Sequence, residues 1–309
     1  MPNISEGRDA SVVDECVAAV RSGGSRVIHR TSDAAHHRSV ITAVGTRDQV
    51  LGSSIALAGA AVAHIDLRRH RGEHPRMGAL DVLPFVPLRD ATLEDAVAVA
   101  REAAAAIWDR FRVPAYFYGA AASVPQRRLL GDVRRGEFEG LAERARATEG
   151  RPDVGDVPHA AAGAIAVGAR EFLVAFNVDL AGSDLSLARR IAKTLRESTG
   201  GLRTLRAIGL SRSPGVTQVS FNITDFAATP LYRVVELVRA LAAEEGIQIA
   251  RSELIGLIPR RALADAAAYY AGDVFSPSRR GLGAPRARRD DPDPAAGAPR
   301  GRRGSPQPE

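Results

Sequence analysis

The chain has 309 residues, 45% hydrophobic and 25% charged, enough for two domains of ordinary size. It has no run of eighteen apolar residues to span a membrane, no basic-then-apolar N-terminal segment of the signal-peptide kind, and one cysteine, Cys16, which rules out an internal disulfide and a cysteine zinc cluster. The net charge of +6 is concentrated at the C-terminus, where residues 276–309 carry eight arginines against four acids. The rest is nearly neutral and shows no basic stripe with interleaved aromatics, which argues against nucleic-acid binding. Together these features point to a cytoplasmic protein.

Residues 1–4 read as the end of a strand. Over 9–21 the apolar positions fit a helix that Gly23-Gly24 ends. Cys16 sits there among Val12, Val13, Val17 and Val20, the place of a small buried side chain rather than a reactive thiol. Residues 26–30 and 39–44 read as short strands joined by the loop TSDAAHHR. An Ala- and Leu-rich helix covers 48–65. The next stretch, HIDLRRHRGEHPRMGALDVLPFVPL, packs three histidines, four arginines, Glu73 and two aspartates into residues 64–88. Pro75 and Gly78 make 71–78 a loop, and 81–88 reads as a strand. Thr92 and Asp95 suggest a capping box opening a helix to Phe111, with a strand at 115–118 beyond Pro114. A helical turn at 125–130 and a helix in RRGEFEGLAERARA follow. Residues 151–162 form a long loop of the kind that often carries function.

The second half reads as strand 171–180, helix 184–198, strand 202–210, a Pro214-Gly215 turn, strand 217–223, helix 230–244 and strand 247–252. That order is β-α-β-β-α-β, and residues 1–88 give it once before, with a helix and strand appended. The expected fold class is α+β: two ferredoxin-like subdomains, each a sheet with helices on one face. The expected boundaries are 1–167 and 168–275. A helix at 260–270 precedes the Pro- and Arg-rich tail 276–309, whose composition is that of a disordered segment.

The segment IDLRRHRGEHPRMGALDVLPFVP closely resembles the signature of the glutamate formimidoyltransferase family. PNISEGRD, YFYGAA, RRGEFEGL, PDVG, AVGAREFLVAFNVDL and SELIGLIP resemble further family segments in family order, over about residues 2–270. Family members usually begin a few residues earlier, which leaves open whether Met1 is the true start. The resemblance implies transfer of a formimino group from N-formimino-L-glutamate to tetrahydrofolate, giving 5-formimidoyltetrahydrofolate and L-glutamate in histidine degradation, by a homodimer that needs no metal. Alternatives are a formyl-transferring enzyme using 5-formyltetrahydrofolate and glutamate, and a non-catalytic folate-binding protein.

A proton must leave the attacking folate nitrogen and another must reach the departing glutamate nitrogen. Histidine, with an ordinary pKa near 6.5, suits both tasks. From spacing alone His64, His70 and His74 are hard to rank; the resemblance places the catalytic role on His74. Glu73 and Asp81 are candidates to orient it. Both substrates are anionic, and guanidinium pairs bidentately with carboxylate, so Arg38, Arg68, Arg69, Arg71 and Arg76 are candidates, with Arg38 and Arg76 foremost. The resemblance carries the folate-contacting loop onto Arg151, Pro152, Asp153, Val154, Gly155, Asp156, Val157, Pro158 and His159. Asn177 and Asn222 could meet the pterin or serve the sheet. Family members often read SDADHNRS where this chain has SDAAHHRS, so Ala35 lacks a carboxylate and His37 replaces an asparagine. His29 and Arg30 stand where an acidic residue is common. The adjacent His36 and His37 are poorly spaced for one metal ion.

Overall fold

Residues 1–72, 74–213 and 215–272 are described in a computed structural model of the chain. The first half runs β1 (Asn3–Ile4), α1 (Ala10–Ser22), β2 (Arg26–Asp33), β3 (Arg38–Val44), α2 (Arg47–His64) and β4 (Leu80–Phe85). Local sequence sets these limits. The Asp9 carboxylate caps α1 by accepting from the Ser11 and Val12 N–H groups, while Thr46 with Gln49 closes a capping box at α2. In the sheet, β4 and β3 flank β1 and β2 lies outside β3, all antiparallel, which is the ferredoxin-like arrangement. Strands β2 and β3 are longer than the sequence suggested, so Thr31, Ser32 and Asp33 belong to β2, Arg38 opens β3, and only residues 34–37 form the turn.

Next come α3 (Leu93–Phe111), β5 (Ala115–Gly119), α4 (Leu130–Val133), α5 (Glu137–Arg146) and β6 (Ile165–Ala169). Strand β6 inserts between β4 and β5, parallel to both, and completes six strands in the order β2-β3-β1-β4-β6-β5. The sequence reading missed β6 and placed the first boundary at 167, two residues before this strand ends. Parallel strands buried on both faces read as continuous apolar runs. Here Leu83, Phe85, Phe117, Ile165 and Val167 pack with α1, α2 and α3, while Val82, Tyr116, Tyr118 and Ala166 pack with Met77, Val133 and Leu141 on the other side. Helices on one face therefore hold for the antiparallel end of this sheet and not for its parallel end, which α4 and α5 cover.

The second sheet has β7 (Val174–Ala181), α6 (Leu185–Leu195), β8 (Leu205–Ser213), β9 (Val216–Ile223), α7 (Leu231–Ala243) and β10 (Ile249–Ile255), in the order β10-β7-β9-β8. It repeats the ferredoxin-like topology. Val174, Val178, Leu180, Val219, Phe221 and Ile223 bury one face against α6 and α7. The other face carries the polar Asn177, Asp179, Gln218 and Ser220 in register, with the exposed Ile208 and Leu210 beside them. Met1–Ala267 forms one compact unit. Helix α8 (Arg260–Ala271) is the last element among the described residues. Glu73, Pro214 and the tail expected at 276–309 lie outside the described residues. No helix among the described residues is long and apolar enough to cross a membrane.

Candidate functional site

One end of the first sheet gathers the residues of interest. Strands β4, β5 and β6 run parallel, so the loops that enter them converge at this end, beside the start of β3. The loop entering β4 carries His74. Its backbone is stitched down by Ala79 N–H to Ala162 O at 3.0 Å, Ala164 N–H to Met77 O at 3.0 Å and Phe138 N–H to Arg76 O at 2.9 Å. Asp81, 1% exposed, accepts from the N–H groups of Met77 at 2.8 Å and Gly78 at 3.3 Å. It also pairs with Arg134, at the C-terminus of α4. Asp81 is thus a loop anchor and does not bond the His74 ring. Gly72 lets this loop touch the 34–37 turn: a Cβ there would stand 2.6 Å from His36 O.

His74 Nε2 accepts from Arg38 Nη1 at 2.5 Å. Burial, then the charges of Arg38 and Arg134, push its pKa down to about 3, so the ring is a neutral acceptor in the free protein. Arg38 is itself pulled below the usual arginine range by burial and by Arg134, and it has no carboxylate at ion-pair distance among the described residues. The Arg134 Nε lies buried without an acceptor. Two crowded cations, one with a donor unspent, beside a neutral imidazole make a place for an anion.

The other histidines are sorted by their bonds. His70 donates Nε2–H to His37 O at 2.9 Å and accepts from Arg76 Nε at 3.3 Å through Nδ1; both nitrogens are spent, and the ring stacks on His37 at 4.2 Å. His64 pairs with Glu15 at the surface. His36 sits edge-on to His74, ring centroids 6.2 Å apart.

Arg76, expected to bind substrate, is buried and already held. Its guanidinium donates to Glu139 at 2.6 and 2.8 Å and to Glu137 at 3.1 Å. That geometry makes it a brace between the His74 loop and α5. The loop of residues 151–159 divides in two. Asp153 turns inward, accepting from Phe117 N–H and Arg127 at 2.7 Å each, and Val154 bridges to Ala115. Gly155 takes φ +83 against Trp108, where any Cβ would meet the indole. Beyond it Val157 is 65% exposed, and the His159 ring accepts from Ala162 N–H at 3.0 Å. Arg151, Pro152 and Asp156 make no bond to the His74 cluster. Asn177 and Asn222 lie on the polar face of the second sheet with Asp179, which binds Gln218, Arg212 and Arg251.

Arg134 is the residue that sequence reasoning missed. Its segment RRGEFEGL stood out, but nothing in the spacing brings it to a loop sixty residues earlier. A cavity of about 470 Å³, lined mostly by apolar groups such as Leu57, Leu83, Phe85 and Phe172, opens at the opposite end of β4. It is remote from this chemistry. No group of three or more His, Cys, Asp or Glu able to hold a metal occurs among the described residues.

A pair of ferredoxin-like sheets, with a cation-flanked histidine at one sheet end, defines an α+β protein of two subdomains. The model of the formiminotransferase domain, N-terminal subdomain, matches residues 1–170, and that of the formiminotransferase domain matches 175–274. The chain belongs to the formiminotransferase domain family. It is 41% identical to a glutamate formimidoyltransferase of Streptococcus pyogenes serotype M1, over 87% of this chain and 91% of the relative. A glutamate formimidoyltransferase of Thermoplasma acidophilum is 38% identical over 87% and 90%. The formimidoyltransferase-cyclodeaminase of Rattus norvegicus is 38% identical, with 87% of this chain matching 51% of that longer protein.

Proposed function

We propose that this chain is a glutamate formimidoyltransferase, transferring the formimino group of N-formimino-L-glutamate to tetrahydrofolate and releasing L-glutamate. The observation that carries the reading is the 41% identity over 91% of a glutamate formimidoyltransferase, with the signature loop folded so that His74 meets Arg38. In this reading His74 is the proton acceptor. Arg38 and the free Nε of Arg134 receive a substrate carboxylate. Folate is the co-substrate, reached through residues 151–159, and no metal takes part.

The electrostatics tie binding to basicity. Arg38 occupies His74 Nε2 in the free protein. A carboxylate that draws the guanidinium away frees that nitrogen and cancels part of the field that keeps the ring neutral. His74 then gains affinity for a proton when substrate is present, which favours proton transfer in the transition state over idle protonation. Asp81 holds both the loop and Arg134, so it couples the fold to this geometry. The proposal extends to a cytoplasmic homodimer; gel filtration at micromolar protein checks the dimer.

The test is a turnover assay with N-formimino-L-glutamate and tetrahydrofolate, set against L-glutamate with 5-formyltetrahydrofolate. The reading expects turnover with the first pair well above the second. Faster turnover of the second pair would assign formyl transfer instead. Tight folate titration without either turnover would assign a binding protein.

A further inference from the structure

Formimino transfer, on the function proposed above, moves two protons at neighbouring nitrogens, and the site holds two histidines in opposite surroundings. His74 faces guanidinium groups. His36, on the β2–β3 turn, faces a carboxylate: its Nδ1 lies 2.9 Å from Asp33 Oδ2, while Asp33 Oδ1 accepts the His36 backbone N–H at 2.8 Å. That second bond, the first cause of Asp33's lowered pKa, keeps the carboxylate ionised. A carboxylate on Nδ1 fixes the imidazole so that Nε2 is the nitrogen left to act.

The two rings are neighbours without being bonded to each other. Their centroids stand 6.2 Å apart at an interplanar angle of 61°. Hydrogen-bond reach is roughly 3 Å, so one small group lying alongside both rings can meet each of them. The His36 ring is about half exposed, so it can exchange protons with solvent between turnovers. His37, its neighbour, is excluded from this part: its Nδ1 accepts from Gly7 N–H at 3.2 Å, and its ring is stacked on His70.

We propose that His36 is a second catalytic residue, the general acid that protonates the departing glutamate nitrogen while His74 takes the proton from the attacking folate nitrogen. In the first half of the step, the folate nitrogen forms a bond to the carbon of the formimino group, which enters as its amidinium cation; the C=N π pair moves onto the imino nitrogen, and the folate nitrogen gives its proton to His74 Nε2. In the second, that pair re-forms the C=N bond as the bond from the carbon to the glutamate nitrogen breaks, and the glutamate nitrogen takes the proton of His36. The enzyme ends with one proton more on His74 and one fewer on His36, and exchange with water restores both. Among the described residues, the charged and titratable groups around His36 are Asp33 on its own hairpin, Arg38 at the start of β3, His74 on the loop entering β4, and Arg8, whose Nε bonds Ala34 O at 2.8 Å from the β1–α1 turn.

The experiment measures kcat and KM from about pH 5.5 to 9 for the parent, His36→Asn, Asp33→Asn and His36→Ala, with melting temperature as the fold control. His36→Asn should melt like the parent, lose about tenfold or more in kcat, keep KM for both substrates within about twofold, and lose the alkaline limb of the kcat profile. Asp33→Asn should shift that limb. Added imidazole should restore part of the rate of His36→Ala. A parent that turns over alongside a His36→Asn variant with unchanged kcat and an intact alkaline limb would overturn this assignment and leave the proposed function standing. A higher KM with unchanged kcat would make His36 a binding residue and overturn it equally. A parent that does not turn over formiminoglutamate removes the proposed function, and this role with it.

Discussion

The two subdomains share one topology and use it differently. In the first, the sheet is sealed on both faces at its parallel end, and charged and titratable groups gather at the strand ends, where His74, Arg38, Arg134 and Asp81 meet. In the second, α6 and α7 cover one face only, and polar groups lie across the other, with Asp179 at their centre. Both centres are a buried aspartate holding arginine. Asp81 is sealed, with Arg134 only 13% exposed; Asp179 holds Arg212 and Arg251, exposed at 38% and 52%. The contrast shows that the same fold can fix a charge in place or spread it over a surface, depending on what covers the sheet.

That contrast breaks most visibly at the two aspartates. Asp81→Ala should cost about 3–5 kcal/mol in urea unfolding, the scale for stranding a buried charge, here Arg134, without its partner. Asp179→Ala should cost less than half as much, because water reaches its arginines. Equal losses would show that the two networks are sealed alike.

The next effect separates Arg38 from Arg76. Arg38→Ala should raise KM for formiminoglutamate about tenfold or more with melting temperature near the parent's, since its guanidinium pairs with no carboxylate among the described residues. Arg76→Ala should instead lower the melting temperature, because it strips His70, Glu137 and Glu139 of their shared partner. A parent-like melting curve with raised KM for Arg76→Ala would return that residue to the substrate.

The smallest effect is one of pH. His74's pKa in the fold, about 3, lies below its ordinary 6.5. As pH falls through that window the unfolded chain takes up a proton that the folded chain refuses, so this histidine subtracts stability on acidification. His74→Asn should therefore lose less stability than the parent between pH 6.5 and 4, read by denaturant midpoint. A steeper loss in the variant would mean that the native ring is protonated there.

The fold was largely legible, for reasons visible at particular residues. Asp9, Thr46 and Thr92 announce helix starts through their caps, and the repeated β-α-β-β-α-β order emerged from apolar periodicity. Strand β6 escaped because its residues, Ile165 to Ala169, are small, unalternating and separated from the next strand by only four residues; a buried parallel strand lacks the period-two mark. The candidate site was read from a motif, which carried no geometry. The signature brought out His74, and Arg38 bonds it. Arg76 reads as a free loop arginine in the sequence, where nothing shows that α5 folds its two glutamates over it. Arg134 was silent because its partner Asp81 is distant in sequence.

The most direct measurement is single-turnover and steady-state transfer from N-formimino-L-glutamate to tetrahydrofolate by the parent, His74→Ala and His70→Ala. Parent turnover is expected, with His74→Ala slowed about 10²-fold or more in kcat and kcat/KM alike while still binding folate, the scale of a lost general acid–base group. His70→Ala should lose far less in the chemical step, because both of its nitrogens are spent on the fold. A His74→Ala enzyme that keeps more than about a tenth of the parent rate, beside a dead but folded His70→Ala, would contradict the account and move the proton to the stacked pair.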